Sequence, residues 1–137
     1  MKICVLYKDI GNSSSCRGLA EALAKGITQQ GHSVDVLNIN DSFGKNLSIY
    51  NYIALGTKSS SFFGGKIDPD IEKFLTQCGS ISGKRSFAFI CKGALRSGKT
   101  MQTLMRTMEK QGMYLTFSQV LTNPAYSEEV GKRLRIS

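Results

Sequence analysis

The chain of 137 residues contains no tryptophan, one histidine and two prolines. Each scarcity removes a class of chemistry. A Ser-His-Asp or Cys-His triad would have to use His32. That residue follows Gly31 at the start of an expected strand, where a solvated ring is the plainer expectation. Cys4, Cys16, Cys78 and Cys91 form no CxxC pair, so neither a zinc site nor a disulfide framework is expected, and a reducing cytosol suits them. No apolar run approaches the roughly 20 residues of a membrane helix. Met1–Leu6 lacks the basic head and long apolar stretch of a secretory leader. The expectation is a cytoplasmic chain that engages no membrane. No catalytic acid or base and no metal-ligand cluster stands out.

What is present is an ordinary globular composition, 41% hydrophobic and 20% charged, long enough for a single domain over 1–137 that buries about two thirds of its unfolded surface. The net charge of +8 is uneven. Residues 1–70 carry 7 basic and 6 acidic side chains, whereas residues 71–137 carry 11 and 4. A basic half attracts phosphate or acidic protein, or simply keeps a chain soluble. No nucleic-acid motif accompanies it, so no nucleic-acid partner is expected.

Short β-rich runs alternate with amphipathic stretches. Strands are predicted at 2–7, 33–39, 50–55, 86–91 and 113–121. Helices are predicted at 13–30, 69–77, 98–111 and 126–134, with room for a short one in 40–48. Leu19, Ala20, Leu23, Ala24 and Ile27 make one helical stripe. Met101, Leu104, Met105 and Met108 make another, read as core. Strand–helix alternation predicts an α/β three-layer sandwich around a parallel sheet. Five strands favour the order 2-1-3-4-5, with a switch point between the first and third.

Ligands in such sheets sit at the carboxyl ends of the strands. Three loops meet there. The first is Lys8-Asp9-Ile10-Gly11-Asn12-Ser13-Ser14-Ser15-Cys16. Gly11 permits a tight turn, and the serine hydroxyls with the N–H groups of the following helix suit a phosphate. The same serines would also serve as ordinary helix caps. Cys16 at a helix start is either a thiol of lowered pKa or a small side chain packed under the loop. The second loop, Gly56 to Lys66, holds Phe62 and Phe63, either of which could stack on a flat ligand. Gly64 and Gly65 would let backbone come close to it.

The segment GTKSSSFFGGKIDPDIEKFL resembles the GTPTYFGG–PPEVKKFL stretch of the flavodoxin family. SSSCRGLAEAL resembles the end of that family's phosphate loop, TGNT, and the helix behind it, KVAEAI. The resemblance runs over nearly the whole chain. It implies a flavodoxin-like fold that binds flavin mononucleotide (FMN). Gly11, Asn12, Ser13, Ser14, Ser15 and Cys16 would hold the phosphate. Thr57, Lys58, Ser59, Ser60, Ser61, Phe62, Phe63 and Gly64, with Lys92, Gly93, Ala94 and Arg96, would flank the isoalloxazine. The chain differs from the family in its serines and Cys16 where threonines are usual, in a phosphate loop about two residues longer, and in its missing tryptophan. Flavodoxins are acidic and this chain is basic, so its redox partner is expected to present an acidic docking face.

Gly93 to Thr100 also matches G-x-x-x-x-G-K-[ST], the phosphate loop of nucleotide hydrolases. No aspartate follows Asp70 to hold a metal ion from a later strand, and only 37 residues follow Thr100. The hydrolase is therefore disfavoured. The leading expectation is an FMN-binding electron carrier serving a protein partner. A flavin-dependent NAD(P)H reductase of a small substrate and a flavin-free interaction module on the same fold are the alternatives.

Overall fold

The computed structural model describes residues 1–61, 64–91 and 97–137. Ten elements follow in order: β1 (Lys2–Lys8), α1 (Ser15–Thr28), β2 (Ser33–Asn38), a 3-10 turn (Ile39–Asp41), β3 (Tyr52–Thr57), α2 (Pro69–Leu75), β4 (Arg85–Cys91), α3 (Ser97–Lys110), β5 (Tyr114–Leu121) and α4 (Pro124–Arg133). All strand pairings are parallel, in the order β2-β1-β3-β4-β5. This is the three-layer arrangement that the alternation of strands and helices implied.

Each face of the sheet has its own core. Leu6, Ile53, Leu55, Ala88 and Ile90 pack under α2 and α3, against Ile71, Phe74, Leu104 and Met108. Ile3, Val5, Ala54, Phe87 and Phe89 pack under α1, against Leu19, Leu23 and Ile27. Both methionine and leucine stripes named above are thus core-facing. The central strands are apolar on both faces because helices cover both.

Most boundaries shift by one or two residues, α1 to Ser15–Thr28 among them, and three departures have a visible cause. Tyr50 and Asn51 precede β3 instead of opening it. The Tyr50 N–H donates to Leu47 O at 3.1 Å, and Asn51 bonds Lys2 in both directions at 2.8 Å. The strand instead runs on through Gly56, over which the Phe89 ring lies so closely that a Cβ would strike it. Residues 40–48 form no α-helix; the 3-10 turn ends where Ser42 Oγ returns a hydrogen bond to Asn38 O at 2.6 Å. α4 starts two residues early, because Asn123 Oδ1 caps the Tyr126 N–H at 2.8 Å and Pro124 occupies the first turn.

α4 is held by α1 more than by the sheet. Gly26 and Gly131 face each other where the helices cross; a Cβ on Gly26 would meet Glu128 O, and one on Gly131 would meet Leu23 O. Gln30 Nε2 donates to Gly131 O at 2.6 Å and to Leu134 O at 2.9 Å, and Gln29 Nε2 donates to Glu128 at 2.9 Å. Backbone contact at the crossing draws α4 inward. The outer strand β5 keeps Phe117 46% exposed, although its ring stacks on buried Phe87 at 5.3 Å.

Candidate functional site

The carboxyl ends of β1 and β3 lie side by side at the switch point. Thr57 Oγ1 closes them by donating to Lys8 O at 2.8 Å. Lys8 is buried, and its ammonium lies 3.5 Å from Asp68, which also caps α2 through the Asp70 N–H at 2.9 Å. That pair is neutral as a unit and fixes the base of the second loop.

The first loop turns at Gly11, whose φ is +60°, with the Ser13 N–H returning to Ile10 O at 3.2 Å. Ser14 stands at the start of α1 without a side-chain cap bond. Ser13 Oγ and Ser15 Oγ are 3.0 Å apart. Lys58 reaches across from the second loop, and its Nζ donates to both hydroxyls at 3.4 Å. Among the described residues no carboxylate pairs with Lys58. Two hydroxyls and an ammonium thus converge beside the positive end of a 14-residue helix. Asn12 is exposed nearby.

The helix's own donors are not open. Asp9 Oδ1 accepts from the Cys16 N–H at 2.8 Å, and Asp9 Oδ2 accepts from the Arg17 N–H at 3.1 Å. A carboxylate from the chain holds the place that unpaired N–H groups were expected to leave for a phosphate. Asp9 stands well ahead of the helix, outside the usual cap position, so spacing carried no signal of it.

Cys16 is buried beneath this turn. Its thiol shares a hydrogen bond with the Cys91 side chain, which, with burial, pushes its pKa well up. The lowered thiol pKa considered from the sequence is therefore overturned: inside a closed, apolar floor the neutral form wins. All four cysteines are free and buried.

The second loop folds on itself. Ser59 is buried, and its Oγ donates to Ser61 O at 2.8 Å; Ser61 Oγ donates to Gly64 O at 3.0 Å; the Ser60 N–H donates to Lys66 O at 2.8 Å. Gly64 and Gly65 have φ of +79° and +85°, which only glycine adopts without strain. Gly65 is pinned to α3: its N–H donates to Thr100 Oγ1 at 3.0 Å, and its carbonyl accepts from Thr103 Oγ1 at 2.7 Å. Thr100, the residue a nucleotide hydrolase would place on a metal ion, is buried under this loop. Phe62, Phe63, Lys92, Gly93, Ala94 and Arg96 lie outside the described residues. Among the described residues no cluster of metal-ligating side chains occurs, and no helix is long and apolar enough to cross a membrane. His32 lies away from the site, its Nδ1 3.1 Å from the Met1 amino group; partial burial, then that charge, lowers its pKa.

By sequence, no family model and no curated protein matches the chain. Solved structures match its fold over nearly its whole length. A flavodoxin from the domain Archaea superposes with a TM-score of 0.77 at 23% identity, covering 98% of this chain and 96% of that one. Flavodoxin 1 from Bacillus cereus gives 0.69 at 17%, covering 93% and 94%. The flavodiiron protein from Giardia intestinalis gives 0.70 at 14%, over 97% of this chain and 35% of its own. The fold is flavodoxin-like.

Proposed function

We propose that the chain is a single-domain cytoplasmic protein that binds FMN and passes electrons to or from a protein partner. The observation that carries this reading is the convergence of Ser13 Oγ, Ser15 Oγ and Lys58 Nζ beside the N-terminus of α1, at the sheet's switch point. A phosphate there gains two hydroxyl donors and a cation that no carboxylate pairs among the described residues. Gly11, Asn12, Ser14 and Cys16 supply the surrounding turn. Thr57, Ser59, Ser60, Ser61 and Gly64 form a pre-folded loop that would carry Phe62 and Phe63 against the isoalloxazine, with Lys92, Gly93, Ala94 and Arg96 on its other side. The likeness in fold to flavodoxins supports the same cofactor. FMN, when bound, supplies the electron chemistry; the residues bind, orient and shield it. Lys66 follows Gly65 in the second loop and the Lys99 side chain lies beside Gly65, so the partner would present an acidic face there.

The test is a titration of the purified protein with FMN and with riboflavin, followed by visible absorption. FMN should bind the more tightly. Lys58→Gln should weaken FMN about tenfold and leave riboflavin nearly unchanged, because only the phosphate meets that cation. A colourless protein indifferent to both would overturn the reading.

One observation favours a second reading, a flavin-free interaction module. The Asp9 carboxylate already satisfies two first-turn N–H groups and sets a negative charge beside any incoming phosphate. Failure of the titration would leave that reading standing.

A further inference from the structure

We propose that β5 and α4 form a docking groove for an extended acidic peptide segment of a partner protein, one that carries an apolar anchor residue. The groove has a volume of about 510 Å³. Phe117, Tyr126 and Val130 supply apolar surface to its lining. Phe117 is 46% exposed, yet its ring is held rigid by stacking on Phe87 at 5.3 Å. A pre-positioned, half-wet aromatic gains apolar burial on binding with little loss of side-chain freedom.

The rim decides the sign of the partner. Arg85, Arg133 and Arg135 line the groove as well, and Glu129 is the acidic lining residue. Glu129 is already engaged, by Lys132 at 3.0 Å and Arg133 at 3.7 Å. Among the described residues no carboxylate pairs with Arg85 or Arg135. The groove therefore carries excess positive charge around an apolar centre. A second copy of the chain would bring the same arginines face to face, at a like-charge cost. That disfavours self-association here.

The edge decides the conformation. β5 ends the sheet and pairs only with β4. Its outer side offers backbone donors and acceptors to an added strand, while alternate side chains of that strand would face the groove. An oligonucleotide could use the arginines and the aromatic rings, but it could not use this edge.

None of the described loop-cluster residues lines the groove. Arg85 opens β4 at the amino-terminal end of the sheet, opposite Lys58 and the serines. Docking there does not depend on the flavin reading, and either can fail alone.

The test selects a displayed library of short random peptides on the immobilised full chain. Enriched peptides should carry carboxylates around an aliphatic or aromatic residue. Their affinity should fall about tenfold or more for the double variant Arg133→Glu/Arg135→Glu, whose side chains are exposed, with its fold checked by circular dichroism. Phe117→Ser should weaken binding similarly. Bound peptide should slow amide hydrogen exchange along 116–120. The proposal is overturned if no peptide is enriched, if the enriched peptides lack carboxylates, or if the variants bind as well as the parent. It also fails if protection falls elsewhere, if a single-stranded oligothymidylate competes for the groove with higher affinity, or if sedimentation shows the chain pairing with itself through β5.

Discussion

The two ends of the sheet handle polar groups in opposite ways. At the carboxyl ends of β1 and β3, nearly every polar atom has found a partner in the chain: Asp9 holds α1, Asp68 holds Lys8, and the second loop bonds to itself and to α3. Among the described residues there, Lys58 has no carboxylate partner and donates to the Ser13 and Ser15 hydroxyls. At the outer flank of β5, Arg85 and Arg135 have no carboxylate partner among the described residues, and Phe117 stays half exposed. The first region has its geometry set by its own hydrogen bonds, which is what the proposed FMN site would use. The second is an unfinished surface. The difference arises at a distance, where two glycines let α4 settle on α1 and leave β5 half covered.

The widest gap separates two rings that touch. Phe87 is fully buried and Phe117 is 46% exposed. Phe87→Ala should cost about 3–5 kcal/mol by removing a core ring. Phe117→Ala should cost less than about 1 kcal/mol. Equal losses in chemical denaturation would show that β5 is as well covered as β4, and the contrast would collapse.

Next comes the helix crossing. Gly131→Val puts a branched side chain against the carbonyl of Leu23, where backbone cannot retreat. It should cost about 1–3 kcal/mol, read as a lower melting temperature. It should also raise hydrogen exchange in α4 above that in α3. Unchanged exchange in α4 would mean that the sheet, and not α1, holds that helix.

Asp9→Asn sharpens the loop side of the comparison. Removing the carboxylate's charge should tighten FMN about tenfold while weakening the α1 cap by about 1 kcal/mol. Weaker FMN binding would assign Asp9 to holding the loop in its binding shape and not to opposing the phosphate.

The smallest effect is in pH. The Glu128 carboxyl is held below the ordinary carboxylate range, first by the Gln29 hydrogen bond and then by Lys25 and Lys132. Its folded pKa is therefore the lower one. The stabilisation is present above the unfolded value and is lost as pH falls through the folded value. Melting temperature should drop slightly more steeply toward about pH 3 in the parent than in Glu128→Gln. Identical profiles would remove Glu128 from the account of the α1–α4 contact.

Much of the fold was legible because hydrophobic period is a local property. The stripes Leu19/Leu23/Ile27 and Met101/Leu104/Met108 told helix from strand, and both proved to face a core. Asp68 before Pro69 signalled the start of α2, and the structure shows that cap. The start of β3 was misplaced because Tyr50 and Asn51 look like strand residues; the turn bond to Leu47 and the double bond to Lys2 are long-range facts. At the site, the serines were visible as a cluster, but their companion Lys58 was placed by parallel pairing of strands far apart in sequence.

By itself, then, the order of residues determined the alternation, the parallel sheet and its strand order, since each follows from short-range pattern and the handedness of crossovers. Tertiary structure alone decided that Asp9 reaches forward to occupy the first turn of α1, that Lys58 crosses to Ser13 and Ser15, and that Gly26 meets Gly131. Those contacts depend on distances between segments that no local period encodes. They determine where charge is spent inside the molecule and where it is left facing outward.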